Sequence, residues 1–245
     1  MSLTKNEIKF IKSLQQKKFR EQEGVFVVEG PKLLQELNEA KALNIVKVYA
    51  TERWNGNPGS EVDFEVISEK DLERISGFKS PNEVLAIVEI PKTAQVDLNS
   101  IESCLILDGI NDPGNLGTIL RTADWFGIST VFASAESVEV YNPKVIQSSM
   151  GAIFRSTYVR TELSSTIQEL KEAGFEVLGA EMNGTALNEK KFDKKFALVM
   201  GSESHGISET LQSLLDESIT IPRFGKSESL NVAMACGIIL SHSKL

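Results

Sequence analysis

The sequence is poor in the residues that build metal, redox and membrane sites. Its 245 residues include two histidines and two cysteines, and aromatic residues make up 7%. His205 and His242 form no cluster with metal-ligand spacing, so the sequence predicts no metal site. No stretch approaches the run of about eighteen apolar residues that a membrane-spanning helix needs. We therefore expect neither a metal nor a membrane among its partners.

The two cysteines predict a reducing compartment. Cys104 lies in the apolar run 101–107, and Cys236 follows Ala-Met-Ala in a helical pattern. Buried, unpaired thiols of this kind are typical of compartments where disulfides are rare. The N-terminus has no apolar segment of the signal-peptide type, which argues against secretion. We therefore expect a cytoplasmic protein.

The charge is acidic overall and basic at the start of the chain. A net charge of −8 counts against a general nucleic-acid binder. Within residues 1–20, however, one acidic side chain is opposed by six basic ones: Lys5, Lys9, Lys12, Lys17, Lys18 and Arg20. Such a segment is either a solvated helix face or a phosphate-binding patch, and the sequence alone favours the solvated face.

Residues 1–95 have the pattern of a small α/β domain. Residues 4–15 place apolar side chains at helical spacing with lysines between them, which predicts an amphipathic helix. Strands are then predicted at 25–28, 45–49, 64–67 and 84–90, and helices at 32–42 and 69–75. We interpret this alternation as βαβαβ, which makes a small three-layer domain. The segment 91–95 begins with proline and predicts a linker.

Residues 96–245 alternate more regularly between apolar strands and helices. Strands are predicted at 103–107, 130–133, 156–159, 175–179, 196–200 and 218–221. Helical patterns cover 115–126, 143–150, 163–173, 207–215 and 230–241. Near-continuous apolar strands joined by helices indicate a mostly parallel sheet covered on both faces, so the fold class is α/β.

Two glycine-containing segments resemble nucleotide-binding motifs, but each lacks a glycine that its motif requires. Gly225-Lys226-Ser227 resembles the end of a phosphate-binding P-loop, but Thr220 stands where that loop has its first glycine. Gly109 follows a strand, but Asn111 occupies the position of the second glycine in the dinucleotide fingerprint. A nucleotide-cofactor dehydrogenase therefore stays a minor alternative. A serine hydrolase has weak support because no Gly-x-Ser-x-Gly turn exists.

Three polar loops follow apolar strands, where α/β proteins usually carry ligand contacts. The first contains Asn115 and Arg121, at the start of a helix, and the second contains Glu203. The third runs from Ile221 to the last helix and contains Ser229. Each loop has a structural explanation of its own. The asparagine and the serine can cap helices, and the glutamate can complement a helix N-terminus.

Taken together, the three loops resemble the signature motifs of the SpoU/TrmH family of RNA ribose 2′-O-methyltransferases, in the SPOUT superfamily. The segments that carry the resemblance are 115–123, 198–206 and 221–233, and 147–152 is also similar. Residues 20–90 are similar to the family's L30e-like substrate-binding domain, notably at 26–34.

The resemblance implies a C-terminal SPOUT domain, whose mostly parallel sheet threads a deep trefoil knot, and a smaller N-terminal L30e-like α/β domain. It implies that residues 1–95 bind the RNA substrate and that residues 96–245 catalyse the reaction. A net charge of −8 is low for an RNA enzyme, so we expect the RNA affinity to come from the basic N-terminal cluster and from the groove of the dimer. S-adenosyl-L-methionine is the implied cofactor, bound in the knot. The implied substrate is a ribose 2′-hydroxyl of rRNA, or of tRNA. Members of the family are homodimers whose active site takes residues from both subunits.

The resemblance also assigns site residues by position. The implied cofactor contacts are Ala180, Met200, Gly201, Ile221, Pro222 and Leu230. The implied catalytic residues are Asn115, Arg121, Glu203, Ser229 and Asn231. Arg121 corresponds to the family's essential arginine. Because a guanidinium stays protonated in proteins, we expect it to anchor a phosphate and stabilise the developing alkoxide, with base action secondary.

The other catalytic positions are expected to act through hydrogen bonds. Asn115 and Ser229 bind the ribose or the arginine, Glu203 orients its partners, and Asn231 fixes the third loop. The alternative function is a non-catalytic RNA-binding module that kept the fold. Such a protein would have no chemical need for all of these groups, so the sequence favours an enzyme.

Overall fold

The computed structural model describes residues 2–59, 62–92, 95–192 and 194–244. Residues 93 and 94 of the predicted linker lie outside this range. The chain divides into two compact units. The first unit comprises residues 1–92 and 141–155, and the second comprises residues 93–140 and 156–245. None of the described helices is long and apolar enough to cross a membrane.

The elements of the first 92 residues follow the predicted order. They are α1 (Lys5–Ser13), α2 (Lys17–Glu23), β1 (Val25–Glu29), α3 (Pro31–Ala40), β2 (Ile45–Ala50), β3 (Asp63–Val66), α4 (Glu69–Ile75) and β4 (Val84–Glu89). Every predicted element is present, with its ends within two residues of the predicted positions. Helix α2 was not predicted. Its one buried residue is Arg20, so it has no apolar periodicity to detect.

The sheet of the first unit is mixed, in the order β1-β4-β2-β3. Strand β4 runs antiparallel to both β1 and β2, while β2 and β3 are parallel. The βαβαβ interpretation is therefore wrong, because β2 and β3 follow each other with no helix among the described residues between them. Strands β1 and β4 are almost wholly buried, and buried strands have the same apolar pattern in parallel and antiparallel sheets.

Helix α1 is amphipathic, as predicted. Its apolar side is buried in the core of the first unit, through Ile8, Ile11 and the following Leu14. The lysines of the N-terminal segment are exposed, but Arg20 is 1% exposed and donates from Nη1 to the Leu14 carbonyl oxygen at 2.8 Å. The predicted basic cluster therefore has five surface members, Lys5, Lys9, Lys12, Lys17 and Lys18, rather than six.

Residues 141–155 pack within the first unit although they follow strands of the second. They contain a helix (143–149) and a 3₁₀ turn (152–155), and this helix contacts β1. The Tyr141 ring stacks on Phe26, with centroids 4.7 Å apart, and Arg155 Nη1 lies 2.6 Å from Glu36 Oε2. The division of function between residues 1–95 and 96–245 stays a prediction.

The remaining elements include every strand and helix predicted for the second half. In chain order they are β5 (Ser103–Asp108), α5 (Pro113–Trp125), β6 (Thr130–Ala133), α6 (Pro143–Ser149), β7 (Thr157–Arg160), α7 (Leu163–Glu172), β8 (Glu176–Ala186), β9 (Phe196–Gly201), α8 (Glu209–Gln212), β10 (Glu217–Thr220) and α9 (Val232–His242). Strand β8 is longer than predicted because its polar end pairs with β10 across a register shift. Helix α8 spans four residues, fewer than predicted.

The sheet of the second unit has the order β10-β8-β9-β5-β6-β7, and each neighbouring pair is parallel. The predicted mostly parallel sheet is confirmed. The chain builds outward from β5 in one direction through β6 and β7, and then places β8 to β10 on the other side. At such a reversal of strand order the carboxyl ends of the strands leave a crevice where ligands bind.

Candidate active site

A cavity of about 680 Å³ opens in the second unit at the carboxyl ends of β8, β9 and β10. The loop 202–207 forms one wall and the loop 221–230 forms another. Val232 and Ile239 of α9 also line it. The cavity therefore lies at the carboxyl edge of the parallel sheet, and β9, one of its strands, borders β5, where the strand order reverses.

All six predicted cofactor residues line this cavity: Ala180, Met200, Gly201, Ile221, Pro222 and Leu230. They come from β8, from the end of β9 and from the loop after β10. Most of them are apolar, which suits an uncharged ring system, while the loops supply polar groups beside them. Their contacts with a ligand stay a prediction.

Gly201 is required by the close approach of two backbone segments. A Cβ placed at this position would overlap the backbone of Gly206 and Ile207. Two backbone hydrogen bonds between Ser202 and Gly206, each 2.9 Å, close the turn, and Gly206 has a φ of 68°. A side chain at Gly201 would force the turn apart, and glycine at 206 adopts the left-handed conformation without strain. The closed turn presents Glu203 at its tip.

Glu203 forms the centre of a polar network that joins the three predicted loops. Its Oε1 accepts a short hydrogen bond from Asn115 Nδ2 and a 3.2 Å hydrogen bond from Asn231 Nδ2. Asn231 Nδ2 also donates to Asn115 Oδ1 at 2.9 Å. These three residues are far apart in the sequence, and the fold of the second unit brings them together.

Both asparagines are held by helix starts. Asp112 caps α5 by accepting from the Asn115 backbone N–H at 2.9 Å. Asn231 caps α9, accepting with Oδ1 from the N–H groups of Ala233 at 3.0 Å and Met234 at 3.3 Å. The explanation of Asn115 and Ser229 as helix caps is therefore wrong. Helix α5 starts earlier than predicted and α9 starts later, so Asp112 and Asn231 take the cap positions instead.

The remaining predicted catalytic residues are not all at the cavity. Ser229 and Glu203 line it, whereas Asn115 and Asn231 lie in the network beside it. Arg121 is exposed on α5 and does not line the cavity. Among the described residues, no hydrogen bond or ion pair engages its guanidinium. The group is free to bind an anion from solution or from another molecule.

The structure adds two exposed cavity residues, Met182 and Phe224, that were not predicted. Met182, 55% exposed, lies in the polar extension of β8, and Phe224, 98% exposed, lies in the loop after β10. Glu181, expected beside Ala180 as a further wall of the site, also lines the cavity. Its carboxylate accepts from Gln212 Nε2 at 2.8 Å and from the Ser218 hydroxyl. No sequence signal separates Met182 and Phe224 from ordinary loop residues.

The two cysteines of the second unit are structural. Cys104 and Cys236 are free and fully buried, which confirms the prediction of core thiols. Burial raises the pKa of each thiol to about 12, so neither is a nucleophile at neutral pH. In the part of the chain that the structure describes, no cluster of histidine, cysteine or carboxylate side chains could hold a metal ion.

Known families match both parts of the chain. Residues 102–241 match the SpoU rRNA Methylase family, and residues 5–86 match the MRM3-like substrate binding domain. A relative similar along its whole length is the 23S rRNA (guanosine(2553)-2′-O)-methyltransferase RlmP of Bacillus subtilis (strain 168). It is 31% identical, and the aligned region covers 98% of this chain and 97% of RlmP.

Solved structures agree with this match. A protein assigned to the TrmH family of RNA methyltransferases, from Porphyromonas gingivalis, is 36% identical with a TM-score of 0.89, over 99% of this chain and 98% of that one. An AdoMet-bound rRNA methyltransferase from Sinorhizobium meliloti is 28% identical with a TM-score of 0.85, over 100% and 96%. The predicted SPOUT fold with a smaller N-terminal α/β domain is confirmed. The chain belongs to the SpoU rRNA methylase family.

Proposed function

We propose that this chain is an S-adenosylmethionine-dependent methyltransferase that modifies a ribose 2′-hydroxyl of rRNA. The observation that carries the proposal is the network of Asn115, Glu203 and Asn231, which lies beside the cavity lined by all six predicted cofactor residues. The activity named for RlmP, which aligns along nearly the whole chain, supports rRNA over tRNA as the substrate.

The cavity has the chemistry that S-adenosylmethionine requires. Ile221, Pro222 and Leu230 offer an apolar surface for the adenine ring. Within the described chain, residues 222–229 make no backbone-to-backbone hydrogen bonds, and the Ser227 carbonyl accepts only from the Arg223 side chain. Most backbone N–H and C=O groups of this loop are therefore available to the adenine edge. The carboxylates of Glu181 and Glu203 suit the positive charges of the ligand.

When bound, S-adenosylmethionine supplies an electrophilic methyl group on a sulfonium centre. The target hydroxyl is a poor nucleophile, so the protein must position it in line and stabilise the alkoxide that develops. Arg121 anchors the phosphate next to the target ribose and stabilises that charge. Asn115 and Ser229 hydrogen-bond to the ribose, and Glu203 holds the amides of Asn115 and Asn231 in one orientation.

A homodimer completes this site. Helix α9 is apolar on all sides, and one of its sides packs on α5. Its other side leaves Met234 61% and Ile238 39% exposed, and Trp125 of α5 is 84% exposed. A helix that is apolar all round is normally covered all round, so a second copy is the expected cover. Dimerisation through this face brings Arg121 of one protomer to the cavity of the other.

The finer features of the family belong to the same proposal. We propose that the loops around the cavity thread a trefoil knot, and that the enzyme acts in the cytoplasm, consistent with its free buried cysteines. We also propose that residues 1–95 bind the RNA through the exposed lysines of α1 and α2. Residues 96–245 then carry the methyl-transfer site.

Methyl transfer from labelled S-adenosylmethionine to RNA from a strain lacking this gene tests the proposal. We expect label in the RNA with the wild-type protein and none with Arg121→Ala, while calorimetry finds the same cofactor affinity for both. Arg53→Ala is the control and should retain transfer. It removes a 72% exposed arginine side chain of the first unit, which pairs with Glu69 at 2.8 Å. If RNA binds but neither label nor cofactor binding is found, the chain is the non-catalytic module.

A further inference from the structure

Phe224 occupies an unusual position for a large apolar residue. It is 98% exposed, the most exposed of the large hydrophobic residues described. It lies in the loop 221–230 and lines the cavity proposed to hold the cofactor. Two cationic residues flank it, Arg223 directly before it and Lys226 two residues after it. Because the Phe224 ring is almost fully exposed, it buries almost no apolar surface and contributes little to the stability of the fold. An exposed aromatic ring between two cations at the mouth of a cavity is suited to binding a ligand.

The cations beside Phe224 are not neutralised by the protein. Arg223 donates from Nη1 to the Ser227 carbonyl oxygen at 3.4 Å, a long hydrogen bond. No ion pair engages Arg223 or Lys226 within the described residues, and Glu228 is the acidic neighbour in the loop. In a chain with a net charge of −8, the stretch 223–226 carries two positive charges and no negative one, which favours an anionic ligand at this part of the loop.

We propose that Arg223, Phe224 and Lys226 bind the RNA next to the nucleotide that is methylated. The Phe224 ring stacks on an unpaired base, and Arg223 and Lys226 contact the phosphates on either side of it. Base-on-aromatic stacking combined with cationic side chains along the backbone is how proteins hold single-stranded nucleic acid. The inference rests on the proposed function, because it places RNA at the mouth of the cofactor cavity.

This arrangement defines the class of substrate. In a paired RNA helix each base face is covered by its neighbours and the deep major groove excludes side chains. Phe224 can therefore stack only where a base is unpaired, in a loop, a bulge or a strand end. The target nucleotide accordingly lies in or beside an unpaired segment, and RNA that is fully paired around the target is a poor substrate.

Fluorescence of the Phe224→Trp variant tests the stacking without requiring methyl transfer. The probes are an unstructured RNA of ten nucleotides and a hairpin in which the same sequence is paired. We expect the single strand to quench the fluorescence that the added indole contributes over the wild-type signal, and the hairpin to quench it weakly. Equal quenching by both probes, or none, would overturn the proposal.

Kinetics with RNA from the deletion strain provide the second test. We expect Phe224→Ala to raise KM for RNA roughly 5- to 100-fold, with cofactor affinity unchanged, and Phe224→Tyr to restore it. Lys226→Gln should raise KM several-fold, whereas Lys191→Gln, at an exposed lysine away from the cavity, should not. A loss of cofactor affinity in Phe224→Ala would show that the ring covers the bound cofactor rather than an RNA base. Dissociation of the dimer in Phe224→Ala would show that Phe224 lies in the subunit interface. Either result overturns the proposal.

The two tests separate this inference from the function on which it rests. If the single strand quenches Phe224→Trp but the wild-type protein transfers no methyl group, the methyltransferase is contradicted and the RNA contact stands. Methyl transfer that does not respond to Phe224→Ala, with no quenching in Phe224→Trp, would contradict the contact and leave the methyltransferase standing.

Discussion

Asn231 Nδ2 donates a 2.9 Å hydrogen bond to Asn115 Oδ1, although 116 residues separate the two in the sequence. The Oδ1 of the same side chain caps α9, so Asn231 both fixes the last helix and joins the third loop to the first. Its amide also reaches Glu203, which joins the second loop. The two ends of one side chain therefore have separable roles, in stability and in the site.

Asn231→Asp separates these roles. An aspartate keeps the capping oxygen but loses the donor, and it places a second carboxylate about 3 Å from Glu203. We expect methyl transfer to fall by about 100-fold with little change in melting temperature, because a disrupted network misplaces Asn115. Asn231→Ala removes the cap as well and should cost about 1 kcal/mol of unfolding free energy. Full activity in Asn231→Asp would contradict the role of the network.

Gly201→Ala tests the turn that presents Glu203. The added Cβ would overlap the backbone of Gly206 and Ile207, so the turn must open and move the cavity wall. We expect cofactor affinity to fall by more than about tenfold, measured by calorimetry, since backbone shifts of this kind cost about 1–3 kcal/mol. Gly237→Ala is the control, because its Cβ would lie 3.5 Å from Thr122 Cγ2, an ordinary contact. Equal affinities for both variants would contradict the prediction.

The parallel sheet of the second unit was predictable because its strands are apolar along their length and helices separate most of them. The mixed sheet of the first unit was not, because β1 and β4 are equally apolar whether parallel or antiparallel. The packing of residues 141–155 within the first unit was also missed. A local pattern predicts an element but not the unit on which it packs.

The candidate site was found in the sequence through its motifs, and its geometry needed the fold. The six cofactor positions and Glu203 follow from the resemblance, and they share one cavity. The cap of α9 was assigned to Ser229 as an alternative, although Asn231 holds it, because helix ends are uncertain by about two residues in a sequence. Phe224 gave no signal, since exposure of a loop side chain depends on the folded neighbours.

The lysines of α1 and α2 test the proposed RNA-binding role of the first unit. Deleting residues 1–20 would also remove Ile8, Ile11 and Leu14 from the core, so charge substitutions are the cleaner experiment. In Lys5→Gln/Lys9→Gln/Lys12→Gln we expect weaker RNA binding and a salt dependence shallower by up to about 2 in log–log slope. Each lysine that neutralises a phosphate of single-stranded RNA contributes about 0.7 to that slope, because its binding releases counterions.

The control for this experiment is the triple variant Lys171→Gln/Lys191→Gln/Lys194→Gln in the second unit, which changes the net charge equally. Filter binding at several salt concentrations, with melting temperatures for each variant, gives the slopes. Identical slopes in the wild type and the α1 variant would show that the N-terminal lysines form a solvated helix face and do not bind RNA.

We expect Glu162 to contribute to the free energy of unfolding in a way that depends on pH. Its carboxylate caps α7, and hydrogen bonds from the backbone N–H groups of Ser165 at 2.7 Å and Ser164 at 3.0 Å lower its pKa from 4.5 to about 2. The folded pKa is the lower one, so the stabilisation is complete above pH 4.5 and disappears as the pH falls towards 2. We expect Glu162→Ala to lower the urea midpoint at about pH 7 and to do so much less at about pH 3. A pH-independent difference would contradict the role of the charge.

The position of the methyl group on the RNA distinguishes a ribose methyltransferase from a base methyltransferase. A methyl group on the ribose 2′-oxygen blocks alkaline cleavage of the following phosphodiester bond, because that oxygen is the attacking nucleophile. RNA from a strain lacking this gene is incubated with the protein and methyl-labelled S-adenosylmethionine, and is then hydrolysed in alkali. We expect the label to be recovered in alkali-resistant dinucleotides. Label recovered in mononucleotides as methylated bases, or no label in the RNA, would contradict this expectation.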